Sequence, residues 1–273
     1  LLGRGGSPLI QGIWVDRDGD GIYGTEEQVV ESGYLRANRT SHSTGQPPEI
    51  TIEERGPVRA TVKVTGAYAS PTGKLMDYVL RVHAYEGADF VTMEHTFLRR
   101  DGELKIDLND VSLVLDLPES GLLTELQWET AKRSEPVALA GETATLVSRV
   151  AGDPQKPNDY PYTVRIGQEE IRSGTRYPGM VRAFGPTMEL GACVRRFWEN
   201  APKSFSAAPR QFEVGLVAPG ETVEFFRGMA KTHEVMLSFG GELAPLQCFA
   251  EKPLLVASPE WYCGTKAFDA FPE

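Results

Sequence analysis

The chain has 273 residues, enough for one large β domain or two smaller ones with a proper hydrophobic core. With 41% hydrophobic and 24% charged residues, 28 Gly and 19 Pro, it has the composition of a turn-rich globular protein. A net charge of −10, with no segment rich in Lys and Arg, argues against a nucleic-acid partner. No apolar run approaches the roughly 18 residues of a membrane helix, and no signal peptide is visible.

The first motif in chain order is Asp16-Arg17-Asp18-Gly19-Asp20-Gly21-Ile22-Tyr23-Gly24-Thr25-Glu26-Glu27, which fits the calcium-loop template D-x-D-x-D-G-x5-E. Asp16, Asp18 and Asp20 alternate as ligands, Gly21 supplies the sharp turn, the Ile22 carbonyl takes position seven and Glu27 position twelve. The hard oxygen donors match Ca2+, in a structural role, because a saturated ion leaves no open position for substrate. The flanks look extended, so this is not an EF-hand pair. The competing reading is an acidic reverse turn.

A polar break at Ala37 to Glu49 separates this opening from the main sheet. From Val58 the pattern alternates: Val58, Ala60, Val62 and Val64 on one face, Arg59, Thr61, Lys63 and Thr65 on the other, which is a half-buried strand. Tyr78 to Tyr85 and Phe90 to Leu98 alternate likewise around Glu86-Gly87-Ala88-Asp89, which predicts a hairpin. His95 and His83 lie mid-strand, where a satisfied core histidine is the ordinary case, and His42 reads as loop. Further strands are predicted at 111–117, 123–129, 143–150, 162–167, 180–185, 188–196, 211–217, 221–227 and 233–239. Strands about ten residues apart with few helical patterns indicate an all-β sandwich or barrel. Gly152 to Pro161, rich in Pro, Asp and Asn, is the best loop candidate.

Two clusters carry candidate chemistry. Arg195-Arg196-Phe197-Trp198 joins cations to aromatics, and such sets contact sugar faces and carboxylates. Arg196 and Trp198 are therefore candidate substrate-binding residues, against the alternative that Trp198 caps the sandwich with an arginine stacked on it. Arg227-Gly228-Met229-Ala230-Lys231-Thr232-His233-Glu234 crowds four ionisable groups at a strand start, with Lys231 and His233 on one face. A uronate-directed lyase needs cations to neutralise the carboxylate and a neutral base for the C5 proton. That makes Arg227 a binding candidate and Lys231 and His233 catalytic candidates; the alternative is a charge ladder on a solvated face. Tyr262, in Trp261-Tyr262-Cys263-Gly264, is a candidate phenolic acid or a packing residue. Cys193, Cys248 and Cys263 fit neither a disulfide framework nor a CxxC site and read as buried thiols. No nucleophile elbow, Walker loop, dinucleotide fingerprint or HExxH is present.

Four blocks, in order, resemble the central β-sandwich of the PcRglX/YetA-like (exo-rhamnogalacturonan lyase-like) family: Ile52-Glu53-Glu54-Arg55-Gly56-Pro57-Val58-Arg59-Ala60; Tyr78 to Gly87 with Glu94-His95-Thr96-Phe97; Arg196-Phe197-Trp198-Glu199-Asn200-Ala201-Pro202-Lys203; and Ala230-Lys231-Thr232-His233-Glu234. The expected fold is all-β, a large antiparallel β-sandwich of the supersandwich, galactose-mutarotase-like kind, with few or no helices. The resemblance implies β-elimination on rhamnogalacturonan-type or other uronate glycans by a complete chain, an acidic oligo- or polysaccharide as partner, and a secreted or periplasmic setting. It divides the chain into 1–44, the tail of an N-terminal barrel or a linker; 45–265, the sandwich; and 266–273, the start of a C-terminal α/α toroid that the fragment lacks. The calcium-like loop is outside the resemblance. The alternatives are a non-catalytic carbohydrate-binding or architectural sandwich stapled by calcium, and a mutarotase-like isomerase.

Overall fold

The computed structural model describes residues 8–43, 47–128, 136–150, 152, 159–240, 242–251, 258 and 261. Among them the chain forms β1 (Ile13–Trp14), β2 (Gln28–Val30), β3 (Ser32–Ala37), β4 (Ser41–His42), β5 (Glu49–Arg55), β6 (Arg59–Ser70), β7 (Gly73–Tyr85), β8 (Phe90–Leu98), β9 (Lys105–Leu108), β10 (Val111–Asp116) and β11 (Glu125–Trp128). It continues with β12 (Val137–Ala138), β13 (Ala144–Ser148), β14 (Pro161–Ile166), β15 (Glu169–Thr175), β16 (Met180–Phe184), β17 (Glu189–Val194), β18 (Lys203–Ala208), β19 (Gln211–Val217), β20 (Val223–Phe226), β21 (Ala230–Ser238) and one helix, α1 (Ala244–Glu251).

The pairings define two large antiparallel sheets. The first runs β15-β14-β13-β18-β19-β10-β3-β4. The second runs β12-β11-β16-β17-β21-β8-β7-β6-β5. A bridge between His42 and Ala69 joins them, because β6 is long enough to reach from one layer to the other. The protein is thus the all-β antiparallel sandwich that the alternation predicts. The segment before residue 45 contributes β3, which pairs along its whole length with β10 inside the first sheet.

The period of two decides what each face holds. Val64, Tyr68, Tyr78, Leu80, Phe97 and Val235 of the second sheet meet Leu35, Leu113, Leu146, Phe205, Phe212 and Val214 of the first in one buried core. The hairpin of β7 and β8 turns at Gly87, whose φ of 68° suits the residue without a side chain. A bulge between Ile52 and Glu54 brings two successive carboxylates of β5 to cations: Glu53 meets Lys63 and Arg81, and Glu54 meets Arg59. Helix α1 packs Leu246 and Phe249 against Met180, Cys193 and Met236, a small second core on the outer side of β16, β17 and β21. Cys193 is buried, and burial pushes its thiol up to about 12, whereas Cys248 is exposed rather than buried.

Candidate functional site at one rim of the sandwich

Strand register places the predicted cations at one end of the second sheet. β17 finishes at Val194, paired with Val235, and the chain turns through Arg196 and Trp198 before β18. β21 starts at Ala230, opposite the last residue of β8, Leu98, and Arg227 lies in the turn just ahead of it. Arg196, Trp198, Arg227 and Lys231 therefore share this rim, although no described contact joins them directly. Tyr262 and most of the predicted loop at 152–161 lie outside the described residues.

The rim cations differ from most others on the surface. Arg196 is exposed, in a left-handed conformation with φ of 53°, and pairs with no carboxylate among the described residues. Among the described residues the Arg227 guanidinium reaches only the carbonyl of Gly102, at 3.4 Å. Lys231 is half-buried with no described polar partner, and burial holds its amine below the usual lysine range. By contrast, the 660 Å3 cleft under α1 on the outer face of the second sheet has its arginines committed. There Arg195 pairs with Glu234 and lies over the Phe249 ring, and Arg59 pairs with Glu54.

Trp198 is half-buried and packs on Tyr160, ring centroids 5.1 Å apart, with the Arg176 guanidinium 5.3 Å from its own ring. An arginine does stack on this tryptophan, but it comes from the end of β15 and not from the neighbouring Arg195 or Arg196. The result is an aromatic shelf with a cation on it, a surface suited to a sugar's C–H face.

Behind the rim, His233 shares its face with Lys231, as the spacing requires, but is only 3% exposed. Its Nδ1 lies 2.9 Å from Nζ of Lys203 on β18, and that amine also donates to the Leu216 carbonyl at 3.2 Å. His95 Nε2 and Tyr68 Oη share a hydrogen bond of 2.9 Å. The orphaned buried atoms Tyr78 Oη, His95 Nδ1, Ser148 Oγ and His233 Nε2 line the same interior. Burial drives Lys203 and His233 well below their ordinary values and His95 to about 3, in each case helped by neighbouring positive charge. This inner group is basic, burial disfavours its charged forms, and among the described residues no carboxylate is bonded to it.

The loop at 16–27 brings carboxylate oxygens of Asp16, Asp18 and Glu27 within 4.8 Å of one another. Asp16 accepts from the N–H groups of Gly19 and Gly21, and Glu27 from those of Arg17 and Gly24. Asp20 instead caps the Ile22 N–H, and the Ile22 side chain is 71% exposed. Three of the four predicted carboxylates thus converge, and an all-oxygen donor set fits a hard cation.

Comparison with known proteins bears on the first part of the chain: residues 4–117 match the PcRGLX-like protein central beta sandwich domain. The match spans 114 of the 273 residues and is a likeness confined to this segment. The PcRGLX-like segment carries β1 to β10, including Tyr68, Tyr78 and His95, while the rim residues at 196–233 lie beyond it. The search of curated proteins finds no match. Among solved structures, the chain is similar to a galactose mutarotase-like protein from Lactobacillus casei (10% identity, 88% of this chain and 96% of that one, TM-score 0.46). It is also similar to a TPR-domain containing protein from Parabacteroides distasonis (11% identity, 85% and 41%, TM-score 0.48) and to the Slr1438 protein from Synechocystis (8%, 73% and 68%, TM-score 0.41).

Lys203, Tyr160 and Arg176 complete the site and were not singled out from sequence. Lysine in a polar run reads as surface, and only the position of β18 between β13 and β19 turns Lys203 inward.

Proposed function

We propose that the chain is the β-sandwich portion of a polysaccharide-lyase-like protein that acts on rhamnogalacturonan-type or other uronate-containing glycans by β-elimination. The observation that carries this reading is Lys231: an amine at the rim, held below the usual lysine range by burial, with no carboxylate partner among the described residues, on the same rim as two arginines that likewise pair with no described carboxylate. The PcRGLX-like match of residues 4–117 supports it.

In this reading Arg196 and Arg227 bind the uronate carboxylate and so acidify the proton at C5. Lys231 Nζ takes that proton; the C5–H electrons form the C4–C5 double bond, the C4–O bond breaks, and the leaving oxygen is protonated by Tyr262. Trp198 supports the sugar face. His233, too buried to touch substrate, holds Lys203 in the core behind Lys231, whose own burial keeps its amine below the usual lysine range. The C-terminal α/α toroid of the same parent chain supplies the opposite wall, in a secreted or periplasmic protein, and the loop at 16–27 takes a structural Ca2+ through Asp16, Asp18 and Glu27, with Asp20 and the Ile22 carbonyl able to turn inward.

The test uses the full parent chain with an oligomeric uronate substrate, following the ultraviolet absorbance of the unsaturated product. Lys231→Met should abolish turnover while leaving the fold intact; unchanged product formation refutes the assignment. A second reading, a non-catalytic carbohydrate-binding or architectural sandwich with a calcium-stabilised loop, is favoured by the burial of His233. Glycan binding by the parent with no unsaturated product would select it.

A further inference from the structure

The outer face of the first sheet carries a trough of 460 Å3, lined by hydroxyl and charged side chains together with Val147, Phe205 and Pro219, remote from the inward-facing Lys203 and His233. Two cross-strand rows make its floor. One runs Val147, Ser204, Gly215, Ser112, Arg36 across β13, β18, β19, β10 and β3; the next runs Thr145, Ser206, Glu213, Val114, Tyr34. Small residues in the middle of three adjacent strands lower the floor, and Gly215 belongs there because a Cβ would collide with Ser204 Oγ.

Ser204 is only 5% exposed, it lines the trough, and its hydroxyl has no hydrogen-bond partner among the described residues. The hydroxyls of Thr145 and Ser206 are equally unpartnered there, so three donor-acceptor groups face one depression. The Glu213 carboxylate is fixed at its edge, since Arg36 holds Glu213 at 2.7 Å and Asp110 at 2.8 Å. Arg39 adds an exposed cation at the mouth.

Charge selects the ligand class. Arg36 and Arg39 are balanced by Glu213 and Asp110, so the trough has no surplus of either sign and gives an anion no advantage. Hydroxyls that can both give and accept, one anchored carboxylate and one arginine match a ligand covered in hydroxyl groups. We propose that this trough binds a neutral saccharide of one or two residues, independently of the rim.

The test is a titration of isotopically labelled chain with glucose, galactose and mannose, and with glucuronate as the charged control, followed by amide chemical shifts. At least one neutral sugar should shift amides of β13, β18 and β19, with dissociation constants around the millimolar range. Ser206→Tyr, which fills the trough from a half-buried outward position, should abolish these shifts, and Lys231→Met should leave them unchanged. If Ser206→Tyr fails to fold, Thr145→Tyr serves the same purpose. Absence of shifts with all three neutral sugars, tighter binding of glucuronate at these amides, or shifts that survive the filled trough would each overturn the proposal.

Discussion

Lys203 Nζ lies 2.9 Å from His233 Nδ1, and this contact joins the two sheets through the middle of the core. A lysine with no measurable exposure normally requires a carboxylate, and here it has an imidazole and a carbonyl. The groups facing it are basic or phenolic: His95 and Tyr68 beyond His233, Tyr78 across from them, Lys231 toward the rim; the nearest acid in this field, Asp110, acts on Tyr68 and is already held by Arg36. The amine is therefore neutral in the fold.

That neutrality makes stability rise with pH. Lys203 has a native pKa well below its ordinary 10.5, so the unfolded chain binds the extra proton at every pH between those two values. His95 behaves alike between about 3 and 6.5, and His233 adds to it below 6.5. Stability should accordingly increase with pH across the window between the native value of Lys203 and its ordinary 10.5, by up to about 1.4 kcal/mol per unit. Lys203→Met should flatten that slope and raise stability near neutrality by about 1–3 kcal/mol, because an apolar chain of similar length replaces a desolvated amine. Urea denaturation of both proteins across the window decides the matter: an equal slope in both would show that Lys203 is not its source.

Alternation made most strands legible from residues alone. β6, β7 and β8 follow the predicted runs, and β19 coincides with the predicted 211–217. The predicted strands do not include β3, β5, β9, β15 or β18, and for three of these the reason is specific. β5 contains a bulge that breaks the period of two, β15 is an edge strand exposed along most of its length, and β18 reads Lys-Ser-Phe-Ser-Ala-Ala, with a charge where an apolar residue is expected. The missed β18 is also why the inner half of the site was invisible. The shared face of Lys231 and His233 followed from spacing, but which face it was depended on sheet packing that no local pattern encodes.

The aromatic shelf predicts a binding effect. Trp198→Ala removes the ring that Tyr160 and Arg176 hold in place and should weaken acidic oligosaccharide binding about tenfold, about 1.4 kcal/mol. Calorimetric titration with an oligogalacturonate would report it, and an unchanged dissociation constant would remove Trp198 from the proposed surface.

Calcium should act on the 16–27 loop through mass action. At free Ca2+ about a hundredfold above its dissociation constant, unfolding should become harder by about 2.7 kcal/mol. Asp16→Asn should cancel this increment; because Asp16 also accepts two backbone N–H groups, the informative quantity is the difference with and without calcium, not the variant's own stability. A melting temperature indifferent to millimolar-range calcium, or raised equally by magnesium, would mark the loop as an acidic turn.

Two glycines separate backbone strain from collision. Gly179 and Gly228 have nearly equal positive φ, 94° and 93°, so alanine at either pays a similar conformational penalty, about 1–2 kcal/mol. Their surroundings differ. A Cβ at Gly228 meets nothing within 4 Å, whereas at Gly179 it meets Phe197 Cβ and the Val194 carbonyl oxygen, each at 2.5 Å. Gly179 also accepts the Val194 N–H through its own carbonyl, so it cannot move away without loosening the turn that presents Arg196 and Trp198. Gly179→Ala should therefore cost about 3–5 kcal/mol and weaken oligosaccharide binding in whatever fraction stays folded, while Gly228→Ala should cost the backbone penalty alone. Equal losses of stability in the two variants would show that the 194–198 turn yields freely and is not held in place by close packing at Gly179.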